Sequence, residues 1–163
     1  PLGSKHLPFN KNNNAASALK AAFGEILKLL TSNPEIYGNI YPIGGTYNFR
    51  FIAGTKLLSP HAFGIAIDLK SENNGYWKWA TRERGQLCLN SFPRELVRAF
   101  ENNYFVWGGK WAHFDIFHFE YRPELIIKSK YHADNLSSLP WHSGFPDTDI
   151  TQGYVEIIET AFK

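Results

Sequence analysis

The sequence has very little cysteine and little excess charge. With Cys88 as its single cysteine, the chain cannot form an internal disulfide or a zinc site built on several thiolates. The net charge is only +2, and no run of Lys and Arg exceeds two residues, so the pattern typical of nucleic-acid binding is missing. No apolar run approaches the roughly 18 residues of a membrane-spanning helix, and no signal peptide is visible.

The composition is that of a folded globular domain. Apolar residues make up 44% of the 163 residues and charged residues 20%, which suits one compact domain. The aromatic share of 16% can fill a core and still line a groove. Residues 1–4, PLGS, look like the remnant of an expression tag, and residues 5–163 are predicted to form a single domain. Its motif-bearing core spans about 40–124, and a C-terminal appendage, rich in Ser, Pro and Gly over 136–149, spans about 125–163.

Hydrophobic periodicity predicts the main elements. Apolar residues recur at helical spacing between Asn14 and Asn33-Pro34, which predicts a helix over about 15–32. Residues 40–52 are expected to be extended chain with a turn or bulge, and 65–69 and 116–121 to be strands. Pro93 suits the first turn of a short helix, and 152–162 suit a last one. The predicted fold class is α+β, with helices packed on a small antiparallel sheet.

Two pairs of ionisable residues stand out. His61 precedes Asp68 by seven residues, and Asp115 precedes His118 by three. Because side chains alternate along a strand, partners an odd number apart cannot face the same way without a bend. Gly64 and Ser59-Pro60 supply such a bend for the first pair, and Gly108-Gly109 suit a loop that leads into the second.

The four residues offer the chemistry of a catalytic zinc site. Two imidazoles and one carboxylate can bind zinc and leave its fourth position for water. A second carboxylate beside that water could then act as a general base. The residue types alone do not assign these roles, because neither HExxH nor another compact zinc signature is present.

The motifs around these residues resemble those of a peptidase family. SPHAFGIAID (59–68) resembles SxHxxGxAxD, and DIFHFE (115–120) resembles DxxHFE. Both motifs occur in the zinc peptidases that include VanY-type D-alanyl-D-alanine carboxypeptidases and L-alanyl-D-glutamate endopeptidases. YNFRFIAGTKLL before the first motif and FVWGGKW before the second are also similar, so the resemblance covers about 40–124.

The resemblance implies a role for each matching residue. His61, Asp68 and His118 would bind one zinc ion per chain, and Asp115 would be the base. Arg50 would lie near the scissile bond, where it can bind a carboxylate or the developing oxyanion. The residues expected to orient their neighbours are Ser59 and Glu120. Trp107 and Trp111 could belong to the core alone, but their position before Asp115 indicates a groove wall. His113 is the rival for His118 as a ligand and is interpreted instead as a rim residue.

The resemblance also implies a function. The expected activity is zinc-dependent cleavage of peptidoglycan stem peptides, with L-alanyl-D-glutamate endopeptidase favoured over D-alanyl-D-alanine carboxypeptidase. A hypothesis from another class is a catalytically silent cell-wall-binding module, against which the intact set of four residues argues. The expected partner is a peptidoglycan peptide, without nucleic acid, and no membrane span is expected in this sequence. The expected location is periplasmic, cell-wall-associated or secreted, and a phage endolysin is also consistent.

Overall fold

The computed structural model describes residues 6–70, 72–131 and 139–161. The proposed tag remnant therefore lies outside the described residues, as does part of the C-terminal appendage. The α-helices are α1 (Ala15–Ser32), α2 (Tyr37–Ile40), α3 (Arg82–Ser91), α4 (Arg94–Glu101), α5 (Pro123–Tyr131) and α6 (Asp149–Ala161). The strands are β1 (Ala66–Asp68), β2 (Phe105–Trp107) and β3 (His118–Tyr121). The predicted α+β class is confirmed.

The first helix has the bounds that its apolar periodicity predicts. One face of α1 is buried, at Ala15, Leu19, Ala22 and Ile26, which recur at helical spacing. The helix ends at Ser32, since Asn33 leaves helical geometry immediately before Pro34. Its buried face packs against α4, so α1 belongs to the layer that covers the sheet.

The sheet is antiparallel, with β3 between β1 and β2. In this register Asp68 lies opposite His118, and Phe119 lies between Ile67 and Trp107. Side-chain alternation therefore gives β3 two different faces. Phe119 points into the core, where its ring stacks on Phe100 of α4 at 4.1 Å between centroids. His118 and Glu120 lie on the other face.

Several elements differ from the sequence prediction. The segment 40–52 contains no strand: Ile40 ends α2, and the rest is irregular apart from isolated bridges such as Phe51 with Leu58. The predicted strand 116–121 begins only at His118. Neither α3 nor β2 was predicted from the sequence. The last helix begins at Asp149, three residues before its predicted start.

The C-terminal segment contacts the core at a pair of tyrosines. The hydroxyl groups of Tyr154 in α6 and Tyr121 in β3 lie 2.9 Å apart, and Tyr121 also donates a hydrogen bond to the Asn13 carbonyl. Both tyrosine side chains are buried. Among the helices of the described ranges, none combines the length and the apolar character that crossing a membrane requires.

Candidate active site

A tight turn places His61 beside the sheet. Ser59 begins the 3₁₀ turn Pro60–Phe63, and its hydroxyl accepts a hydrogen bond from the His61 amide at 3.3 Å. The turn ends at Gly64, whose φ of 66° lies in the left-handed region that favours glycine. The predicted bend between His61 and Asp68 is therefore present, and it directs the buried His61 ring toward β1.

Strand pairing brings Asp68 and His118 together. The two residues face each other across the antiparallel β1 and β3 pair, although they are 50 positions apart in the sequence. An Asp68 carboxylate oxygen lies 2.7 Å from Nδ1 of His118 and the other lies 3.2 Å from Nε2 of His61. The two imidazole nitrogens are themselves 3.2 Å apart.

The outer nitrogen of each histidine ring has its own partner. Nδ1 of His61 contacts the Thr46 main-chain carbonyl, and Nε2 of His118 lies 3.0 Å from a Glu120 carboxylate oxygen. An oxygen partner at the outer nitrogen favours the tautomer that carries its proton there. In that tautomer, Nε2 of His61 and Nδ1 of His118 keep their lone pairs, and both of these nitrogens point into the cluster.

The cluster fits a metal ion with nitrogen and oxygen ligands. One ligand atom from each of His61, Asp68 and His118 can be chosen so that all lie within 4.8 Å of one another. Three protein ligands of this kind, with a fourth position left for water, are typical of catalytic zinc sites. The two imidazole nitrogens and the Asp68 carboxylate are close enough together to bind the same metal cation.

The electrostatics of the metal-free cluster reflect the same contacts. Burial by itself would raise the pKa of Asp68, but hydrogen bonds from His118 and His61 outweigh it and place this pKa well below its usual range. Burial would lower the pKa of His118, but hydrogen bonds to Asp68 and Glu120 raise it to about 9. Without metal, the cluster therefore holds a proton on His118 at neutral pH.

Asp115 lies beside the cluster without being one of its three members. Burial raises its pKa to about 6, although the nearby positive charge of His118 acts in the opposite direction. Its carboxylate accepts a hydrogen bond from the Phe117 amide, and its main-chain carbonyl accepts one from the His118 amide at 3.3 Å. A half-buried carboxylate with a pKa near neutrality is suited to accept a proton.

Glycine allows the loop before Asp115 to pack closely. The Asp115 amide donates to the Gly108 carbonyl at 3.1 Å, and a Cβ added at Gly108 would lie 2.5 Å from the Asp115 carbonyl oxygen. A Cβ at Gly109 would lie 2.2 Å from the Trp107 ring. Gly108 is thus required by its contact with the Asp115 segment and Gly109 by its contact with the Trp107 ring, and neither glycine has a positive φ.

Arg50 reaches the site through its backbone. The Arg50 carbonyl accepts a hydrogen bond from the Ser59 amide at 2.9 Å, so Arg50 lies next to the turn that carries His61. Its side chain is exposed, and within the described residues the guanidinium makes no hydrogen bond or ion pair. This cation is therefore available to a ligand.

The other predicted residues fall into two groups. Ser59 and Glu120 make the contacts given above with His61 and His118. Trp111 is partly exposed, and its ring centroid lies 5.5 Å from that of His118.

Trp107 does not form a groove wall: it is 3% exposed, stacks on Phe92 and donates to the Ile116 carbonyl at 2.7 Å. Its alternation along β2 directs it into the core.

His113 lies outside the cluster. It is exposed, and its ring stacks on Trp77 with 4.1 Å between centroids. His113 is therefore not a member of the ligand cluster, and its interpretation as a rim residue stays a prediction.

Two residues that contact the site, Thr46 and Arg122, are not part of either sequence motif. Thr46 acts through its main-chain carbonyl, which any residue could supply. Arg122 lies 3.3 Å from the second carboxylate oxygen of Glu120 and also pairs with Glu124. Arg122 directly follows β3 and lies two residues beyond Glu120, a spacing that puts side chains on one face of extended chain and could have indicated the pair.

Comparison with known proteins identifies a related family. Residues 53–121 match the model of a family described as D-alanyl-D-alanine carboxypeptidase. The matched segment contains His61, Asp68, Asp115 and His118, and the resemblance to this family of peptidases is confirmed for it. Arg50 and the helices α1, α5 and α6 lie outside the match. Searches of curated proteins and of solved structures gave no match.

Proposed function

We propose that this protein is a zinc-dependent peptidase that cleaves peptidoglycan stem peptides. The observation that carries the proposal is the convergence of His61, Asp68 and His118 in a segment similar to the D-alanyl-D-alanine carboxypeptidase family. A bound zinc ion would polarise the scissile carbonyl and lower the pKa of its water. Because such substrates lie outside the cytoplasm, we also propose an extracytoplasmic or cell-wall location, or the role of a phage lysin.

Asp115 is proposed as the general base. It lies beside the three ligand residues, and its carboxylate accepts a hydrogen bond from the Phe117 amide. In the ionised form it would accept a proton from the attacking water and then pass that proton to the leaving amine. Its partial burial supports this role, because burial raises a carboxyl pKa toward the pH at which a base works best.

Arg50 is proposed to stabilise negative charge. Its exposed guanidinium is free of partners in the described part of the chain and is attached beside the turn of His61. A planar guanidinium can hold a carboxylate or an oxyanion through two hydrogen bonds. It could therefore bind the developing oxyanion, or a carboxylate of the substrate.

The bond between L-alanine and D-glutamate is the proposed scissile bond. The HFE ending and the aspartate base resemble the endopeptidase branch, whereas the description of the matched family favours the carboxypeptidase. A carboxypeptidase needs a cation that captures the terminal carboxylate, and Arg50 is the free cation that the described site offers. Arg50 can equally serve the oxyanion of an endopeptidase, so the choice needs a direct test.

Parallel digestion of tetrapeptide and pentapeptide muropeptides tests the choice of bond. Mass analysis is expected to show cleavage between L-alanine and D-glutamate in both substrates. The carboxypeptidase instead releases free D-alanine from the pentapeptide alone and leaves that bond intact. The second pattern would refute the endopeptidase assignment while retaining the zinc peptidase.

A further inference from the structure

A group of four rings lies on the surface beside the cluster. This aromatic shelf consists of Tyr76, Trp77, Trp79 and His113. Trp77 stacks on His113, and Tyr76 meets Trp79 edge-on with 5.0 Å between centroids. Trp79 is 62% exposed and Trp77 is 39% exposed, so both indole rings are in contact with water. Exposed apolar rings grouped in this way are typical of binding surfaces.

The shelf is joined to the segment that carries the proposed base. Tyr76 pairs with Asp115 in an antiparallel bridge, and the Trp77 amide donates to the Phe114 carbonyl at 2.9 Å. On the other side of this bridge, the Ile116 amide donates to the Gly75 carbonyl at 2.8 Å. These bonds fix the position of the shelf relative to Asp115. Because residues paired in an antiparallel bridge face each other, a molecule bound against the Tyr76 ring would lie beside Asp115.

The hydrogen bonds of the shelf restrict what can bind. A peptide that bound by strand addition would need free main-chain groups. The Trp77 amide and the Gly75 carbonyl are already paired with 114–116. The shelf therefore offers ring faces and the edges of indole and imidazole. A pyranose ring matches this surface, because its C–H face stacks on an aromatic ring while its hydroxyl groups stay hydrated or bond to ring N–H groups.

We propose that the aromatic shelf binds the amino sugar to which the stem peptide is attached. This inference rests on the proposed function, because that function supplies a substrate in which sugar and peptide are covalently linked. Trp77 and Trp79 would be the stacking residues, with His113 holding the Trp77 ring in place. Trp111, whose ring lies close to His118, would face the linkage between the sugar and the peptide.

A sugar site at the aromatic shelf favours one of the two candidate scissile bonds. An extended chain spans about 3.5 Å per residue. In cleavage between L-alanine and D-glutamate, a single residue separates the scissile bond from the lactyl group of the sugar. In cleavage of the terminal D-alanine of a pentapeptide, four residues, or about 14 Å of extended chain, separate them. A sugar site adjoining Asp115 therefore fits the first bond.

Kinetics with and without the sugar test the shelf. The zinc-loaded protein is given a muropeptide and the same peptide freed of its sugar. We expect kcat/KM to be about tenfold higher for the muropeptide, mainly through a lower KM, and this ratio to fall toward one in Trp77→Ala and Trp79→Ala. Tyr37→Ala, which removes an exposed ring stacked on Tyr41, should keep the ratio. Equal kcat/KM values in the wild type, or a ratio that survives both tryptophan variants, would overturn the proposal.

A binding measurement separates this inference from the proposed function. Peptide-free glycan chains are titrated into the protein while the amide and indole NMR signals are recorded. Shifts confined to the shelf, lost in Trp79→Ala and retained in Tyr37→Ala, are expected whether or not any peptide is cleaved. Absence of binding would reject the sugar site even for an active peptidase. Binding without cleavage would reject the peptidase and retain the sugar site.

Discussion

In each of His61 and His118, the partner of one ring nitrogen determines which nitrogen faces the ligand cluster. Thr46 and Glu120 occupy the outer positions, so Nε2 of one ring and Nδ1 of the other face Asp68. The resemblance of the two motifs to those of the peptidase family implied the ligand set, and the structure brings His61, Asp68 and His118 together. It could not predict the Thr46 contact, because a main-chain carbonyl leaves no trace in residue identity.

Removal of His118 should empty the metal site. His118→Ala deletes one of three ligand atoms, and we expect bound zinc to fall at least tenfold from one per chain. His113→Ala is the matched control, since it removes an exposed histidine five positions away that contacts Trp77 instead of the cluster. Elemental analysis after zinc loading and gel filtration measures both. Loss of zinc in His113→Ala with retention in His118→Ala would show that the ligand had been misassigned.

Asp115 and Asp68 should respond differently to the same substitution. Asp115→Asn is expected to retain zinc and to lower turnover by about 10²-fold or more, because the amide cannot accept the proton. Asp68→Asn replaces a charged ligand by a neutral one and should weaken zinc binding instead. Zinc content and turnover are measured for both variants. An Asp115→Asn protein that lost its metal would mean that ligand and base had been exchanged.

Zinc binding should release protons and strengthen as the pH rises. In the metal-free protein the pKa of His118 is raised to about 9, so at pH 7 this ring is protonated, whereas zinc requires it neutral. Protons therefore compete with zinc below pH 9, and the apparent affinity should rise by up to about tenfold per pH unit between pH 7 and 9. Calorimetry in buffers of different ionisation enthalpy counts the protons. A pH-independent affinity with no proton release would contradict this protonation of the metal-free cluster.

Among the elements, those with strong periodicity were the ones predicted. The α1 bounds agree with the apolar repeat, and Pro93, predicted in the first turn of a short helix, lies one residue before α4. The α3 sequence, RERGQLCLNS, lacks an apolar stripe, and only Gly85 is buried, so its formation depends on the Thr81 cap and on packing. The similarity of FVWGGKW to the segment before the second motif gave no sign that Phe105–Trp107 form a strand. The prediction of Trp107 as a groove-wall residue was wrong, because β2 directs its ring into the core.

Two glycines on different elements should give opposite effects on stability. Gly108→Ala places a Cβ 2.5 Å from the Asp115 carbonyl oxygen, so we expect a loss of ~1–3 kcal/mol in unfolding free energy and lower turnover. Gly24→Ala in α1 meets no atom within 4 Å and should add ~0.5–1 kcal/mol, because alanine favours the helix. Denaturant unfolding of both variants measures the difference. A Gly108→Ala protein as stable and active as the wild type would show that this close approach is not required.

At the scale of the whole molecule, a small sheet divides the core from the site. The Phe119 face packs on α4, and the opposite face carries His118 and Glu120 against the turn of His61. The fold class followed from the sequence because the strand segments and the amphipathic helices had different periods. The aromatic shelf did not follow, since Trp77 and Trp79 lie outside both motifs, and backbone pairing of Tyr76 with Asp115 is what connects their segment to the site.

Zinc-dependent hydrolysis of a stem peptide is the central claim, and product analysis tests it most directly. Purified muropeptides are incubated with the zinc-loaded protein, with the protein after chelation, and with the chelated protein after zinc is restored. Mass spectrometry is expected to show products of peptide-bond cleavage in the first and third samples and none in the second. Intact muropeptides in all three samples, from a protein shown to be folded and to hold one zinc per chain, would contradict the account.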